Sequence, residues 1–127
     1  MIIAAEHMQN LLLKSAWGDH EAFAALYHAT APSLLALARR ILAKQDQAEE
    51  VLQEAFVQAW YHAKDYDPTK GTALAWLAGI TRHRAIDRRR HEQRHSARRQ
   101  VLAQQPEPVP EPEPAAYVYY SSELQAL

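Results

Sequence analysis

The chain has 127 residues, of which 48% are apolar and none is cysteine, and a formal net charge of −1 at neutral pH. Such a length holds one domain, and the lack of cysteine excludes disulfides, cysteine-bound zinc and thiol catalysis while fitting a cytoplasmic protein. Only three glycines among abundant alanine and leucine indicate an all-α fold, and no apolar run nears the ~20 residues of a membrane span, so membrane insertion is not expected.

The first predicted helix opens at Leu11, Leu12 and Leu13 and runs to Trp17, where Gly18-Asp19 breaks it and places Asp19 to cap the next. The second runs over 20–29 with Phe23, Leu26 and Tyr27 at core spacing. Pro32 sits where a third helix can begin, and Leu34, Leu35, Leu37, Ala38, Ile41 and Leu42 surround so much of it that it is expected to be the most buried. Asp46 to Glu49 reads as a capping box opening a fourth helix over 47–63. Its apolar stripe is Val51, Leu52, Ala55, Phe56, Ala59 and Trp60, and Glu50, Gln53, Glu54 and Gln58 lie on the other flank.

A turn built on Asp67-Pro68 and closed by Gly71 leads to Thr72, which can cap a fifth helix starting at Ala73. Leu74, Leu77, Ile80 and Thr81 can pack inward. Past Arg88 no apolar anchor follows until Val101, so that end is expected to extend into solvent or fray. The whole-chain charge conceals this helix: residues 1–80 are net −3, residues 81–105 carry eight arginines against Asp87 and Glu92 for a net of +6, and residues 106–127 are net −4. A loop joined to a basic helix suits a polyanion, because the helix supplies charge and the loop offers side chains and N–H groups. From residue 104 the sequence Pro-Glu-Pro-Val-Pro-Glu-Pro-Glu-Pro forbids a helix and reads as an extended linker. The chain therefore divides into a helical domain over 1–103 and a Pro/Glu-rich linker over 104–127 with the start of a further domain.

Several motifs come in a fixed order: Gly18-Asp19 with Ala22-Phe23 and Leu26-Tyr27; Ala48-Glu49-Glu50-Val51-Leu52-Gln53-Glu54-Ala55-Phe56 with Ala59-Trp60; Tyr66-Asp67-Pro68-Thr69-Lys70-Gly71; Ala75-Trp76-Leu77; and Arg84-Ala85-Ile86-Asp87-Arg88. In this order they resemble the region 2 domain of bacterial sigma factors of the extracytoplasmic-function (ECF) type, over about residues 9–95. The resemblance implies a compact domain of four or five helices that initiates transcription and is not an enzyme, and it implies no cofactor. It also implies that a helix-turn-helix domain, region 4, is missing beyond the linker. The fourth helix would dock on the β′ coiled coil of core RNA polymerase through Glu50, Leu52, Gln53 and Glu54. The loop and fifth helix would capture flipped non-template bases of the promoter minus-ten element through Asp67, Lys70, Trp76, Gly79, Arg82, His83, Asp87, Arg88 and Arg90. Lys70 and Arg82 would meet phosphate, and His83 and Asp87 base edges. His83 stands where relatives often have asparagine, which puts base preference at that position in question. Trp76 is either core or a wedge against the melted segment. An anti-sigma factor is a further implied partner.

Two alternatives stand beside this. One is a helical protein-interaction module whose arginines read no DNA. The other is a zinc peptidase, since His91-Glu92-Gln93-Arg94-His95 matches H-E-x-x-H. Its setting among arginines, without apolar cover, opposes a Zn²⁺ site.

Overall fold

A computed structural model describes residues 4–103, and within them four helices and two 3₁₀ turns. Helix α1 spans Ala5–Ala16, α2 His20–Ile41, α3 Gln45–His62 and α4 Ala73–Ala103. The turns Ala63–Asp65 and Pro68–Lys70 fill the α3–α4 connection. The all-α expectation holds, and the linker expected over 104–127 lies outside the described residues.

Helix α1 begins six residues before Leu11 and stops at Gly18. There the Asp19 N–H reaches the Lys14 carbonyl and the Gly18 N–H the Ser15 carbonyl, the paired bonds of a Schellman end. Asp19 then accepts from the Ala22 N–H at 3.0 Å and starts α2, as its position predicted.

The second and third predicted helices are one. Helix α2 continues through Pro32, although proline lacks the N–H that would bond the carbonyl four residues back and costs about 3 kcal/mol inside a helix. Ala22, Leu26, Thr30, Leu34 and Ala38 are all buried at an unbroken spacing of four, so the packed stripe runs straight past an exposed Pro32. Burying Leu26 and Leu34 stabilises by about 1.5–3 kcal/mol each, and a break at Pro32 would uncover one of them. Leu35 and Leu37 are only half-buried. The most deeply set helix is instead α3, which buries Ala48, Val51, Leu52, Ala55, Phe56 and Ala59.

The capping box is also absent: α3 starts after Lys44 without a side-chain cap, and Glu49 accepts from the Gln45 amide at 3.1 Å instead of reaching back to Asp46. The core gathers Leu12 from α1, Leu26 and Leu34 from α2, Leu52 and Phe56 from α3, and Ala73 and Leu77 from α4. Phe23, Tyr27, Phe56 and Trp60 add edge-to-face ring contacts at 4.8–5.8 Å. Thr72 caps α4 by accepting from the Ala75 N–H at 3.1 Å. At 31 residues α4 is about 46 Å long, so only its first half can lie against the other helices. Its residues beyond Glu92 are mostly exposed and helical, so of the two expected outcomes the end extends into solvent.

Candidate nucleic-acid interface

The loop between α3 and α4 is held by its own side chains. Asp67 Oδ1 accepts from the Thr69 hydroxyl at 2.7 Å and from the Thr69 N–H at 2.9 Å, and these bonds keep the carboxyl below its ordinary range. Tyr66 is 6% exposed, and its hydroxyl donates to the Gly71 carbonyl at 2.9 Å. Burial, with the Asp67 charge behind it, raises the phenol pKa. Gly71 has φ +156° and ψ 174°, a backbone region that is essentially glycine's alone. Trp76 lies against Tyr66 at 5.7 Å between ring centroids and packs on the core while keeping one part exposed. The loop therefore reaches the start of α4 in one shape, with Lys70 exposed on it. Asp67 is engaged in building that turn.

The eight arginines divide into two sets. Arg84 is 1% exposed; its Nε donates to Gln58 Oε1 and its Nη1 lies 3.7 Å from Glu54 Oε2. Arg88 donates to Glu50 at 3.0 Å and to Glu92 at 3.2 Å, with 18% of its side chain exposed. Burial works against the Arg88 charge, but the bonds to Glu50 and Glu92 outweigh it and raise its pKa. Burial also raises the Glu54 carboxyl pKa, opposed by Arg84 and then Arg88. Glu50, Glu54 and Gln58 thus stand one turn apart on α3 and face an antiparallel α4. The acidic flank of α3 and the first two core-side arginines of α4 form one internal seam.

The remaining arginines point outward: Arg82, Arg89, Arg90, Arg94, Arg98 and Arg99 are exposed. Among the described residues they enter no ion pair. Gly79, Arg82, His83, Asp87 and Arg90 follow one another at helical spacing on this outer face, and His83 Nε2 lies 3.2 Å from Asp87 Oδ2. Gly79 is exposed, with nothing within 4 Å of where a Cβ would stand.

Three of the expected contact residues are engaged within the fold. Leu52 is 4% exposed and belongs to the core, so it offers nothing to a partner. Arg88 is turned to Glu50, and Asp67 to its own loop. Glu50, Gln53 and Glu54 do share a flank of α3, but the two glutamates are shared with α4. The residues this reading missed on α3 are Val57 and Tyr61, 46% and 52% exposed beside Gln53. With His20, Phe23, Tyr27, Phe56 and Trp60 they line a shallow apolar groove of about 510 Å³ between α2 and α3. Their spacing of four from Gln53 was the available signal, hidden because the apolar stripe of α3 was read as one face. His91 and His95 stack at 5.7 Å, but Glu92, the base a zinc peptidase needs, bonds Arg88. Among the described residues no three side chains are grouped to hold a metal.

Residues 26–95, which hold the loop and the arginine-rich half of α4 up to His95, match the sigma-70 region 2 family model. The chain belongs to that family, which consists of transcription initiation factors and not of enzymes. Within it the chain is similar to the ECF RNA polymerase sigma factor SigK of several mycobacteria. It is 39% identical to that of Mycobacterium ulcerans over 94 residues, 74% of this chain and 50% of the relative. Against that of Mycolicibacterium vanbaalenii it is 40% identical over 97 residues, 76% and 49% of the two, and against that of Mycobacterium tuberculosis 40% over 83 residues, 65% and 44%. The chain spans about half the length of these relatives. No described helix is long and apolar enough to cross a membrane.

Proposed function

We propose that this chain joins core RNA polymerase in the cytoplasm and melts the promoter minus-ten element by holding non-template bases on the loop at 66–71 and the outer face of α4. The observation that carries the reading is the division of the arginines. Two are neutralised in the seam with α3, while Arg82, Arg89 and Arg90 stand exposed along α4 and Lys70 is exposed on the loop before it, charges that no packing requirement accounts for. Lys70 and Arg82 neutralise phosphate, and each such contact releases counterions, so affinity falls with salt. Unstacked bases lie against the helix near Gly79, where the absent side chain lets a backbone or base approach, and His83 reads an edge. Stacking of a captured base contributes about 1–3 kcal/mol. Preferential binding of the open strand over the duplex is the whole mechanism; no covalent step is involved.

The polymerase coiled coil docks on Gln53, Val57 and Tyr61 with Glu50 at the edge, an exposed surface in which an aromatic side chain can serve as anchor. An anti-sigma factor acts by covering one of the two surfaces. The test is binding of the chain, with core polymerase, to a single-stranded minus-ten oligonucleotide at two salt concentrations. Selective, salt-sensitive binding that weakens in Lys70→Ala and Arg82→Ala is expected, together with loss of polymerase binding in Tyr61→Ala. Equal affinity for a scrambled strand would reject DNA reading in favour of a protein-interaction module.

A further inference from the structure

Arg90, Arg94 and Arg98 follow one another a turn apart along α4, and all three are exposed. Among the described residues none of them enters an ion pair. Like charges four residues apart destabilise a helix, so this row calls for an anion. The acids of α4 do not supply it, because Glu92 is bonded to Arg88 and Asp87 lies beside His83. Directly after the described residues, positions 106–114 read Pro-Glu-Pro-Val-Pro-Glu-Pro-Glu-Pro, with Glu107, Glu111 and Glu113 and no basic residue. The two stretches also match in length. A helix rises about 1.5 Å per residue, so Arg94 and Arg90 are about 6 Å apart and lie about 14 and 20 Å back from Ala103. A proline-rich segment advances about 3.1 Å per residue, which puts Glu111 and Glu113 about 6 Å apart as well. The eight residues from Ala103 to Glu111 span about 25 Å at that advance, enough to reverse direction and come level with Arg94.

We propose that segment 106–114 of this chain docks back along α4, with Glu113, Glu111 and Glu107 beside Arg90, Arg94 and Arg98, and screens these arginines until a stronger polyanion displaces it. The contact stands on charge and reach alone; its effect on a promoter strand rests on the reading of α4 as a DNA surface. A single exposed ion pair is weak. Tethering holds the glutamates at a high effective concentration, and the alternating prolines leave the segment less conformational freedom to lose on docking. A nucleic-acid strand carries one phosphate per nucleotide and releases counterions as it binds, so it displaces three carboxylates. The screen therefore lowers affinity for polyanions of any sequence.

The experiment uses the full chain. Ala115→Cys supplies one thiol for a nitroxide label in an otherwise cysteine-free protein, and broadening of backbone amide signals is read along α4 by NMR. At about 0.1 M salt, where charges act over about 10 Å, the label should broaden the amides of residues 82–94, and a single-stranded minus-ten oligonucleotide should relieve it. Raising the salt to about 1 M, where that range falls to about 3 Å, should confine the broadening to the last turns of α4. Glu107→Gln, Glu111→Gln and Glu113→Gln together should do the same, and should tighten binding of the oligonucleotide about 3- to 10-fold, as the loss of three weak exposed pairs implies. Glu6→Gln, Glu21→Gln and Glu123→Gln change the net charge equally elsewhere and should alter affinity by less than about twofold. Broadening confined to the last turns in the parent, or broadening that ignores both salt and the first three substitutions, overturns the inference. An equal gain in affinity from both sets of substitutions overturns the screening as well, reducing it to net charge. Salt-sensitive broadening in a chain that binds no strand leaves the contact standing and sinks the DNA reading alone.

Discussion

Replacing Arg84 by alanine tests the division of the arginines most directly. Arg84 is the largest fully buried side chain of the domain, and it joins Gln58 and Glu54 of α3 to α4. Removing one member of a buried ion pair costs about 3–5 kcal/mol. Glu54 is 39% exposed and can regain water, which lowers the figure, while the lost packing of the arginine stem raises it. The balance is about 3 kcal/mol. For a domain of roughly 100 residues each kcal/mol moves Tm by about 4–8 °C, so Arg84→Ala should melt about 12–24 °C lower. Arg84→Lys keeps a charge and much of the stem but loses the planar fork, and should recover about half of the loss. The assay is thermal unfolding by circular dichroism, with oligonucleotide binding measured well below each Tm. Arg90→Ala serves as the contrast: Tm nearly unchanged, DNA affinity lower, and the salt slope reduced by about one. If Arg84→Ala melted within about 3 °C of the parent and instead bound DNA poorly, the inward seam would be wrong and Arg84 would belong to the DNA surface.

Gly79→Ala should raise stability by about 1 kcal/mol, since glycine inside a helix is that much worse than alanine and no neighbour crowds the new methyl. The same variant should bind the minus-ten strand more weakly; a stabilised protein with unchanged affinity would remove Gly79 from the interface. Thr72→Ala deletes the α4 cap and should cost about 1 kcal/mol in urea unfolding, with Thr72→Ser restoring it. Glu54 is protonated more readily in the fold than in the unfolded chain because burial raises its pKa above 4.5. The folded state therefore binds the extra proton, and this group favours folding increasingly as pH falls through the window just above 4.5. Glu54→Gln should accordingly show its most favourable Tm, relative to the parent, near neutral pH, and that difference should shrink as pH is lowered towards 4.5.

Local and periodic features were legible in the sequence. The helical class, the Asp19 and Thr72 caps, the loop from Tyr66 to Gly71 and the basic helix after it all follow from residue spacing and from side chains that bond within five residues of themselves. The family itself was recognisable because its motifs keep their order and gaps. Local rules failed where packing outweighed them. Pro32 signals a helix start, yet the stripe from Ala22 to Ala38 lies against α1, α3 and α4, and that burial holds one helix together across the proline. Asp46 and Glu49 have the spacing of a capping box, but local bonds from Gln45 and Gln47 occupy them.

The charge of each arginine was evident from composition, whereas its destination was not. Arg84 and Arg88 meet Glu54 and Glu50 across 30 and 38 positions of chain. Nothing local distinguishes them from Arg82 and Arg90, which differ only in the side of α4 they occupy. That side is set by which face of α4 the apolar residues Ala73, Leu77 and Ala85 bury, a long-range outcome of close packing. The same rotation leaves His83 exposed and Asp87 partly so, and the corresponding rotation of α3 turns Leu52 inward while leaving Gln53 out. Sequence alone thus determined that a basic helix and a short loop before it exist; the tertiary fold decided which of their charges remain available to a partner, because an ion pair forms only where packing brings its two halves within reach.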